Sequence, residues 1–515
     1  MLKNCAKMLK LPLEIPAEQI GLPTRGATVT ACKLFHEGEP DPSPFGQAYH
    51  LSFTADVYRY EGVIHPVDPE APDIHFEAGM PLAWNGKIMQ LGGGGVNGYV
   101  PPCTMPPHGQ DRTDHSALKQ GYVVFASDSG HTFINGDMMD CSWAINRECF
   151  ENFAHQSLKK VKDTVAVLTE LVYGEKPEKV YFYGGSNGGR ECMKAIQNYP
   201  EDYDGAICFF PVLYWVQKVL SDIRSNRVAA KIGEAGWIDP ETDARIQEAV
   251  LGLCDELDGV KDGLISNSSA ARQKHEELKA AVRKVVSEEQ FQILEAFEEP
   301  YVMPYPLEYG QPVFPGYSVF EGTSLLIPLS MQKQAMEIGR STGSDSVFQS
   351  FFAQDPNYEL DDDSFDPEKW KDRILELSKW LDAYDTNLDA FIQRGGKLIL
   401  VQGTTDPQVT MYGTIQYYEN LLEKYGQEDL RKFMRFYLAP GYGHGTDGSF
   451  IIMSDFLHAL DTWVEEGTAP GTLTVTDRNP QTVGRTRPLY EYPGYPVYSG
   501  SGDPDDAQNY REGKM

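Results

Sequence analysis

The sequence predicts an α/β fold built on a parallel sheet and interrupted by a long insertion. Between about residues 122 and 211, short apolar strand patterns alternate with helical patterns, which is the arrangement of a parallel α/β sheet. From 212 to 390, amphipathic helices and acidic segments replace it, and a strand pattern returns at 396–402. We therefore predict one α/β domain formed by residues 1–211 and 391–515, with an inserted lid domain at 212–390.

The first part of the chain contributes β-rich runs and a glycine tract. The runs at 27–34, 49–58 and 74–78 alternate with Pro and Gly turns and are predicted as strands. A short apolar strand then ends in Gly92-Gly93-Gly94-Gly95, whose backbone N–H groups can converge on a negatively charged atom. A dinucleotide or phosphate loop is the alternative, but no long helix follows the tract and no acidic residue closes a βαβ unit.

One segment runs from an apolar strand into a glycine-flanked serine. Gly184-Gly185-Ser186-Asn187-Gly188 fits the pattern Gly-x-Ser-x-Gly, in which a sharp strand-to-helix turn exposes a nucleophilic serine. A chain with 48 glycines forms such pentapeptides by chance, but here 179–183 has strand composition and 191–199 has helical periodicity. This context predicts a nucleophile elbow at Ser186; an ordinary glycine turn of a parallel sheet is the alternative.

Two further candidate residues follow the insertion. Asp406 comes just after the returning strand, and His444 lies between two glycines after another apolar run. The chain order Ser186, Asp406, His444 is that of the serine, acid and histidine in α/β-hydrolases. Asp406 could instead cap a helix that begins near Pro407. His131 is a rival base, although it precedes the serine in the chain.

A second cluster lies in an acidic loop of the predicted lid. Asp255, Asp258 and Asp262 share a short loop with Gly259 and Gly263, which permit a tight turn. Such a loop can direct carboxylates and intervening carbonyls toward one hard cation, and Ca²⁺ fits best. The spacing is not that of an EF-hand, and a solvated acidic turn is the alternative reading.

Composition limits the partners. The 75 acidic and 45 basic residues give a formal net charge of −30, which argues against nucleic acid and anionic membranes as partners. No apolar run is long enough to span a bilayer. The eight cysteines show no paired pattern and the amino terminus has no signal-like apolar core, so we predict reduced thiols and the cytoplasm. The sequence predicts no particular oligomeric state.

Together with these segments, several motifs make the chain similar to the tannase and feruloyl esterase family over nearly its whole length. In chain order they are Trp84-Asn-Gly, the glycine tract, Asp128-Ser-Gly-His131, Tyr199-Pro-Glu-Asp-Tyr-Asp-Gly205 and Pro440-Gly-Tyr-Gly-His444. The resemblance implies an α/β-hydrolase fold with a large lid. It also implies hydrolysis of esters of aromatic acids such as gallate, ferulate or related hydroxycinnamates; the family includes an enzyme that cleaves mono-hydroxyethyl terephthalate.

The resemblance also assigns site residues. It implies a catalytic triad of Ser186, Asp406 and His444. The oxyanion hole would use backbone N–H groups of Asn187 and of a glycine in the tract, Gly95 or Gly94. A structural Ca²⁺ would be held in the lid by the carboxylates and carbonyls of Asp255, Asp258, Val260, Asp262 and Leu264.

Two positions depart from the family pattern. Most members carry one cysteine just before the nucleophile and another just after the histidine, and a disulfide between them joins the two catalytic loops. Here these positions are Gly185 and Gly445. The loss agrees with a reducing compartment, and packing and loop hydrogen bonds must replace the covalent link.

We therefore predict a serine carboxylic ester hydrolase that cleaves small aromatic esters through an acyl-enzyme. Two alternatives are an acyltransferase that uses the same triad and a non-catalytic, calcium-containing binding protein. Aromatic side chains between 301 and 353 could contact an aromatic acyl group or form the lid core. Arg340 could pair with a substrate carboxylate.

Overall fold

The structure is a computed structural model, and it describes residues 7–110, 115–133, 140–311, 313–338, 343–360 and 362–515. It contains seventeen strands within these residues. In chain order they are β1 (Leu13–Ile15), β2 (Ala27–Phe35), β3 (Val57–Ile64), β4 (Ile74–Pro81), β5 (Lys87–Leu91), β6 (Val123–Ser127), β7 (Lys179–Gly185), β8 (Gly205–Phe209), β9 (Tyr301–Val302), β10 (Val313–Phe314), β11 (Lys397–Gly403), β12 (Met434–Ala439), β13 (Ile452–Met453), β14 (Leu473–Asp477), β15 (Thr486–Leu489), β16 (Gly494–Tyr498) and β17 (Tyr510–Lys514).

The helices surround these strands. In chain order they are α1 (Pro44–Ala48), α2 (Arg147–Glu151), α3 (Ser157–Tyr173), α4 (Asn187–Asn198), α5 (Trp215–Ile232), α6 (Pro240–Cys254), α7 (Ser268–Gln273), α8 (His275–Val282), α9 (Glu288–Glu298), α10 (Leu326–Ile338), α11 (Gly343–Val347), α12 (Lys371–Leu381), α13 (Asp389–Gln393), α14 (Met411–Phe433) and α15 (Phe456–Glu466). The helix α3 ends at Gly174, which adopts φ +81° as a left-handed cap. Within the described residues, no helix is long and apolar enough to cross a membrane.

Ten of the strands form one sheet in the order β1-β2-β3-β4-β6-β5-β7-β8-β11-β12. The strands from β6 to β12 in this order are parallel to their neighbours, whereas β1 to β4 join the sheet in antiparallel pairs. The predicted α/β fold with a parallel sheet is confirmed. The carboxyl ends of β7, β8, β11 and β12 lie at one edge, where open α/β sheets hold their sites.

The segment between β8 and β11 is mostly helical. It holds α5 to α13, and its described strands are the two-residue pair β9 and β10, which the sequence pattern did not reveal. The strands β8 and β11 are parallel neighbours in the sheet, so the chain leaves the sheet after β8 and returns beside it. The exact limits of the predicted lid, 212 and 390, stay a prediction.

One predicted strand, 49–58, is wrong over most of its length. Ser43 caps α1 by accepting a hydrogen bond from the Gly46 N–H, and Pro44 occupies the first turn. This local capping starts a helix that ends at Ala48, and β3 begins only at Val57. The residues between them form a loop, because His50 adopts φ +52° and the N–H groups of Leu51 and Phe53 donate to the carbonyls of Gly46 and Glu39 at 2.8 and 2.9 Å.

The core lies on both faces of the sheet. In β7, Tyr181 and Tyr183 belong to one buried cluster, and Phe182 belongs to another, because successive strand side chains point to opposite faces. The first cluster includes Phe456 of α15, and the second includes Met193 of α4. Ser186 at the end of β7 is thus held between two packed layers.

Candidate active site

Ser186 lies in a sharp turn between β7 and α4, as the sequence predicted. Its backbone adopts φ +60° and ψ −127°, a conformation that is strained for a residue with a β-carbon. Its flanking glycines are required by close packing, because a β-carbon at Gly184 would lie 2.2 Å from the carbonyl oxygen of Gly188. The turn is held by the N–H of Val212, which donates to the Ser186 carbonyl at 3.3 Å. The packing and this bond thus hold Ser186 in its strained conformation.

Asp406 and His444 form a hydrogen-bonded pair. Nδ1 of His444 lies 3.0 and 2.8 Å from the two carboxylate oxygens of Asp406, and the Asp406 side chain is fully buried. Oδ1 of Asp406 also accepts the backbone N–H groups of Gln408 and Val409, both at 2.8 Å. Because α14 begins only at Met411, Asp406 orders a turn and is not a helix cap. With Nδ1–H donating, Nε2 of His444 is an acceptor.

The loops that carry this pair are joined by their backbones. The N–H and the hydroxyl of Thr405 both donate to the carbonyl of Tyr442 at 3.1 Å. The hydroxyl of Thr404 accepts the N–H of Gly441 at 2.9 Å. These bonds link the residues that follow the neighbouring strands β11 and β12, so the acid and the histidine are set by the sheet itself.

A second carboxylate lies beside the histidine. Oδ1 of Asp447 accepts the backbone N–H of His444 at 2.6 Å, and its carbonyl accepts the N–H of Gly443 at 3.0 Å. Burial raises the pKa of Asp447, as does the nearby negative charge of Asp406. Asp447 holds the backbone of the turn, whereas Asp406 holds the ring.

Ser186 and His444 are brought together indirectly. The N–H of Ser186 donates to the Phe209 carbonyl at 3.2 Å, and the next residue, Phe210, packs its ring 4.6 Å from that of His444. Within the described residues, Ser186 Oγ has no hydrogen bond to His444. Such contacts in hydrolases often close only when substrate binds.

The glycine tract packs directly on the start of α4. A β-carbon at Gly92 would lie 2.6 Å from Cα of Gly188, and one at Gly188 would lie 2.5 Å from the Gly93 carbonyl oxygen. The Gly92 N–H donates to the Tyr183 carbonyl at 3.0 Å. The tract is therefore next to the turn that carries Ser186, and only glycines permit this approach.

The predicted oxyanion donors lie on both sides of this contact. Asn187 is the first residue of α4, so its N–H has no partner within the helix and lies at the positive end of the helix dipole. Among the described residues, the N–H groups of Gly94 and Gly95 have no hydrogen-bond partner. Gly95 is exposed and adopts φ +60°. These three amides are thus open to an anion.

A buried network behind the site was missed from the sequence. Glu191 accepts the Gly93 N–H at 2.8 Å and the Asn97 amide at 2.5 Å. Asn187 donates to Asn97 at 3.0 Å and accepts from Arg190 at 2.7 Å. Burial raises the pKa of Glu191. The sequence feature that could have indicated this network was the pair Arg190-Glu191, which places two charges near the start of a helix that packs into the core.

His131, the rival base, has a structural position. Its ring is buried and stacks on Trp143 with centroids 3.6 Å apart, and its Nε2 donates to the Val96 carbonyl at 2.8 Å. Burial lowers the pKa of His131 to about 4. The ring thus supports the loop that continues the glycine tract.

The lid aromatics are mostly packed side chains. Phe348, Phe351 and Phe352 are buried, and the Phe351 ring lies 4.8 Å from Trp215 and 5.6 Å from Trp143. This packing joins α5 to the segment that precedes α2. Arg340 lies outside the described residues.

The acidic loop shows one carboxylate oxygen that lacks a partner. Asp258 is buried, and within the described residues its Oδ2 makes no hydrogen bond. Burial raises the pKa of Asp258 to about 6, against the lowering effect of the nearby Ser266 hydroxyl. Oδ1 of Asp255 accepts the N–H groups of Asp262 and Gly263 at 3.1 and 3.0 Å.

The donor chemistry of this loop fits a hard cation, because a bound cation would satisfy the unpartnered oxygen. Asp262 is also engaged by Arg487, whose Nη2 donates to Oδ2 at 2.7 Å. No group of three or more His, Cys, Asp or Glu side chains is arranged to hold a metal ion in the described part of the chain. The predicted ligands are therefore near one another without forming a closed ligand set.

Comparison with known protein families identifies relatives of this chain. The model of the family described as "Tannase and feruloyl esterase" matches residues 58–512. The chain belongs to this family. It is a carboxylic ester hydrolase, as the sequence predicted.

The relatives of this family member include bacterial and fungal esterases. An uncharacterized esterase of Agrobacterium fabrum is 38% identical over 95% of this chain and 89% of its own. A probable feruloyl esterase of Arthroderma benhamiae is 28% identical over 84% and 80%. The mono(2-hydroxyethyl) terephthalate hydrolase of Piscinibacter sakaiensis is 26% identical over 94% and 88%.

Solved structures of the family confirm the predicted α/β-hydrolase fold. An esterase from Aspergillus oryzae superposes with a TM-score of 0.77 at 22% identity, covering 96% of this chain and 98% of its own. Feruloyl esterase B from the same organism gives a TM-score of 0.75 at 20% identity over the same shares.

Proposed function

We propose that this esterase hydrolyses esters of aromatic acids through an acyl-enzyme on Ser186. The observation that supports the proposal is the hydrogen-bonded His444–Asp406 pair, which Phe209 and Phe210 link to the turn of the strained, glycine-flanked Ser186. The names of two relatives refer to ferulate and terephthalate, which are both aromatic acids. The finer assignment of gallate, ferulate or a related hydroxycinnamate belongs to this proposal.

Each residue of the proposed mechanism has one task. Nε2 of His444 takes the proton of Ser186 as Oγ attacks the ester carbonyl, and Asp406 holds the imidazole tautomer and stabilises its cation. The N–H groups of Asn187 and of Gly95 or Gly94 stabilise the oxyanion. The tetrahedral intermediate expels the alcohol, which receives the proton from His444, and water then repeats the attack on the acyl-enzyme.

An ester panel tests this proposal. Methyl ferulate, methyl gallate and aliphatic methyl esters of similar size are assayed in reducing buffer, because the sequence predicts a cytoplasmic enzyme. We expect kcat/KM for the aromatic esters to exceed that for the aliphatic ones by about 10-fold or more. Hydrolysis should release free acid and alcohol in equal amounts. Ser186→Ala is assayed in parallel to correct for uncatalysed hydrolysis.

Two outcomes favour the alternatives. If added alcohols capture the acyl group in preference to water, the protein is an acyltransferase. If the folded protein neither cleaves any ester nor reacts with a fluorophosphonate probe, it is a binding protein.

We also propose a structural Ca²⁺ in the lid, held by Asp255, Asp258 and Asp262 with the carbonyls of Val260 and Leu264. The buried Oδ2 of Asp258, which accepts no hydrogen bond from the residues that the structure describes, supports it. When bound, the ion would neutralise carboxylates whose burial is otherwise unfavourable. It would take no part in the chemistry at Ser186.

Chelation tests the calcium proposal. Saturating Ca²⁺ at about 100 times Kd should raise the free energy of unfolding by about 3 kcal/mol, and EDTA should remove this gain, as thermal unfolding would show. Asp258→Asn should abolish the response to Ca²⁺. Glu256→Gln is the matched control, because Glu256 lies in the same loop but its side chain is exposed and forms an ion pair with the exposed Lys261. A melting temperature that ignores both Ca²⁺ and EDTA contradicts the proposal.

A further inference from the structure

The imidazole of His108 lies between the two catalytic loops. A β-carbon at Gly185, next to Ser186, would lie 2.4 Å from Cδ2 of His108. A β-carbon at Gly445, next to His444, would lie 2.8 Å from Nδ1 of the same ring. One side chain therefore fills the space beside both glycines, and both positions must lack a side chain for the ring to fit.

The ring continues into a stack that ends on the catalytic histidine. His108 packs edge-on against Phe210, with centroids 4.9 Å apart and planes at 74°. Phe210 in turn packs against His444 at 4.6 Å. Phe210 holds φ +33°, a strained value for a residue with a side chain, and its N–H donates to the Val401 carbonyl at 2.7 Å.

The segment that carries His108 is itself anchored. The carbonyl of His108 accepts the hydroxyl of the buried Tyr183 at 2.7 Å, which fixes it to β7. The next residue, Gly109, accepts the Ser454 N–H at 2.8 Å, and Gln110 donates to Asp455 at 2.8 Å. These bonds tie the segment to the sheet on one side and to the start of α15 on the other, so the ring is held from both directions.

We propose that His108 is a positioning residue, whose ring sets the distance between the loop of Ser186 and the loop of His444. This rests on the proposed function, since it concerns the proton transfer between these two residues. Closely packed groups resist compression, so a half-buried ring in contact with both loops acts as a spacer. A misplacement of about 1 Å at a reacting centre can cost about 100-fold in rate.

The first test removes the ring. His108→Ala should lower kcat for a p-nitrophenyl ester by about 10- to 100-fold and leave KM within about twofold, because the substrate pocket keeps its own side chains. The rate of fluorophosphonate labelling should fall in parallel. His108→Phe, which restores a flat ring, should recover most of the lost kcat.

The second test uses the contact with Gly185. Its backbone is not in the left-handed region, so Gly185→Ala adds one methyl group that collides with His108 and with the Phe210 ring, 2.9 Å away. We expect Gly185→Ala alone to lower kcat. In Gly185→Ala/His108→Ala the methyl enters the vacated space, so the combined loss should be smaller than the product of the two single losses.

Three results would overturn the positioning role: a folded His108→Ala with wild-type kcat, equal losses in His108→Ala and His108→Phe, or losses that multiply in the double variant. If His108→Ala does not fold, Gly185→Ala is compared with Gly185→Ala/His108→Phe. The collision must persist while a ring is present, so both variants should lose kcat to a similar extent. Recovery of kcat in Gly185→Ala/His108→Phe would then overturn the positioning role. A wild-type protein that cleaves no ester and takes no probe would refute the proposed function instead.

Discussion

Ser186→Ala should lower kcat for a p-nitrophenyl ester by about 10⁴-fold or more. The loss follows from the proposed mechanism, because alanine has no hydroxyl to form the proposed acyl-enzyme and a water molecule held by the remaining site is a poor substitute. The measurement is steady-state kinetics together with the initial burst of p-nitrophenol. Wild type should release about one equivalent before the steady state, and the variant should show no burst.

The fold should be unaffected by this change. Alanine can adopt the same φ and ψ at the turn as serine, with the same strain, so the melting temperature should match that of wild type. Ser330→Ala, which removes an exposed serine on α10, is a control with an equal change in composition and should retain full activity. Turnover by Ser186→Ala within about tenfold of wild type would falsify the assignment of the nucleophile.

Asp406→Asn should lower kcat by about 10³- to 10⁴-fold, with a smaller change in KM. The carboxylate oxygens lie 3.0 and 2.8 Å from Nδ1 of His444 and require that nitrogen to carry a proton. The asparagine amide can instead donate to Nδ1, which places the imidazole proton on Nε2. Nε2 then cannot accept the proton of Ser186. Initial rates at several substrate concentrations separate kcat from KM.

Asp447→Asn is the matched control for this prediction. Asp447 lies in the same turn, but its Oδ1 accepts the backbone N–H of His444 rather than touching the ring, and an asparagine retains that acceptor. We expect a loss below about tenfold. The reverse result, an inactive Asp447→Asn beside an active Asp406→Asn, would transfer the role of triad acid to Asp447.

The sequence predicted those parts of the site that local patterns encode. Ser186, Asp406 and His444 each follow a strand pattern directly, and the chemistry of each residue type limits what it can do there. The glycine tract could be predicted as part of the site, because four successive glycines after a strand have few structural explanations. The strand at 49–58 was wrong because His50 turns the chain at φ +52°, and the backbone N–H groups of Leu51 and Phe53 donate to the segment before them rather than to a sheet strand.

Contacts between distant segments were not predictable in this way. Glu191 reaches the Gly93 N–H across the gap between two chain segments, and no periodicity marks such a pair. His108 follows two prolines in a loop and belongs to no motif, yet its ring lies between Gly185 and Gly445. These are the positions where the resemblance implies a disulfide in other members, and the sequence alone left open what replaces it.

The adjacency of β8 and β11 has a consequence for the nascent chain. β8 ends at Phe209 and its partner β11 begins only at Lys397, so synthesis of the whole helical segment separates the first eight strands of the sheet from the last two. At ordinary elongation rates this takes on the order of 10–40 s. During that interval the edge of β8 has no partner strand, and an unpaired parallel edge is a template for pairing with other chains. The ribosome-bound protein therefore passes through a long period in which its own carboxyl-terminal strands cannot yet cover the edge of the sheet that later carries the site.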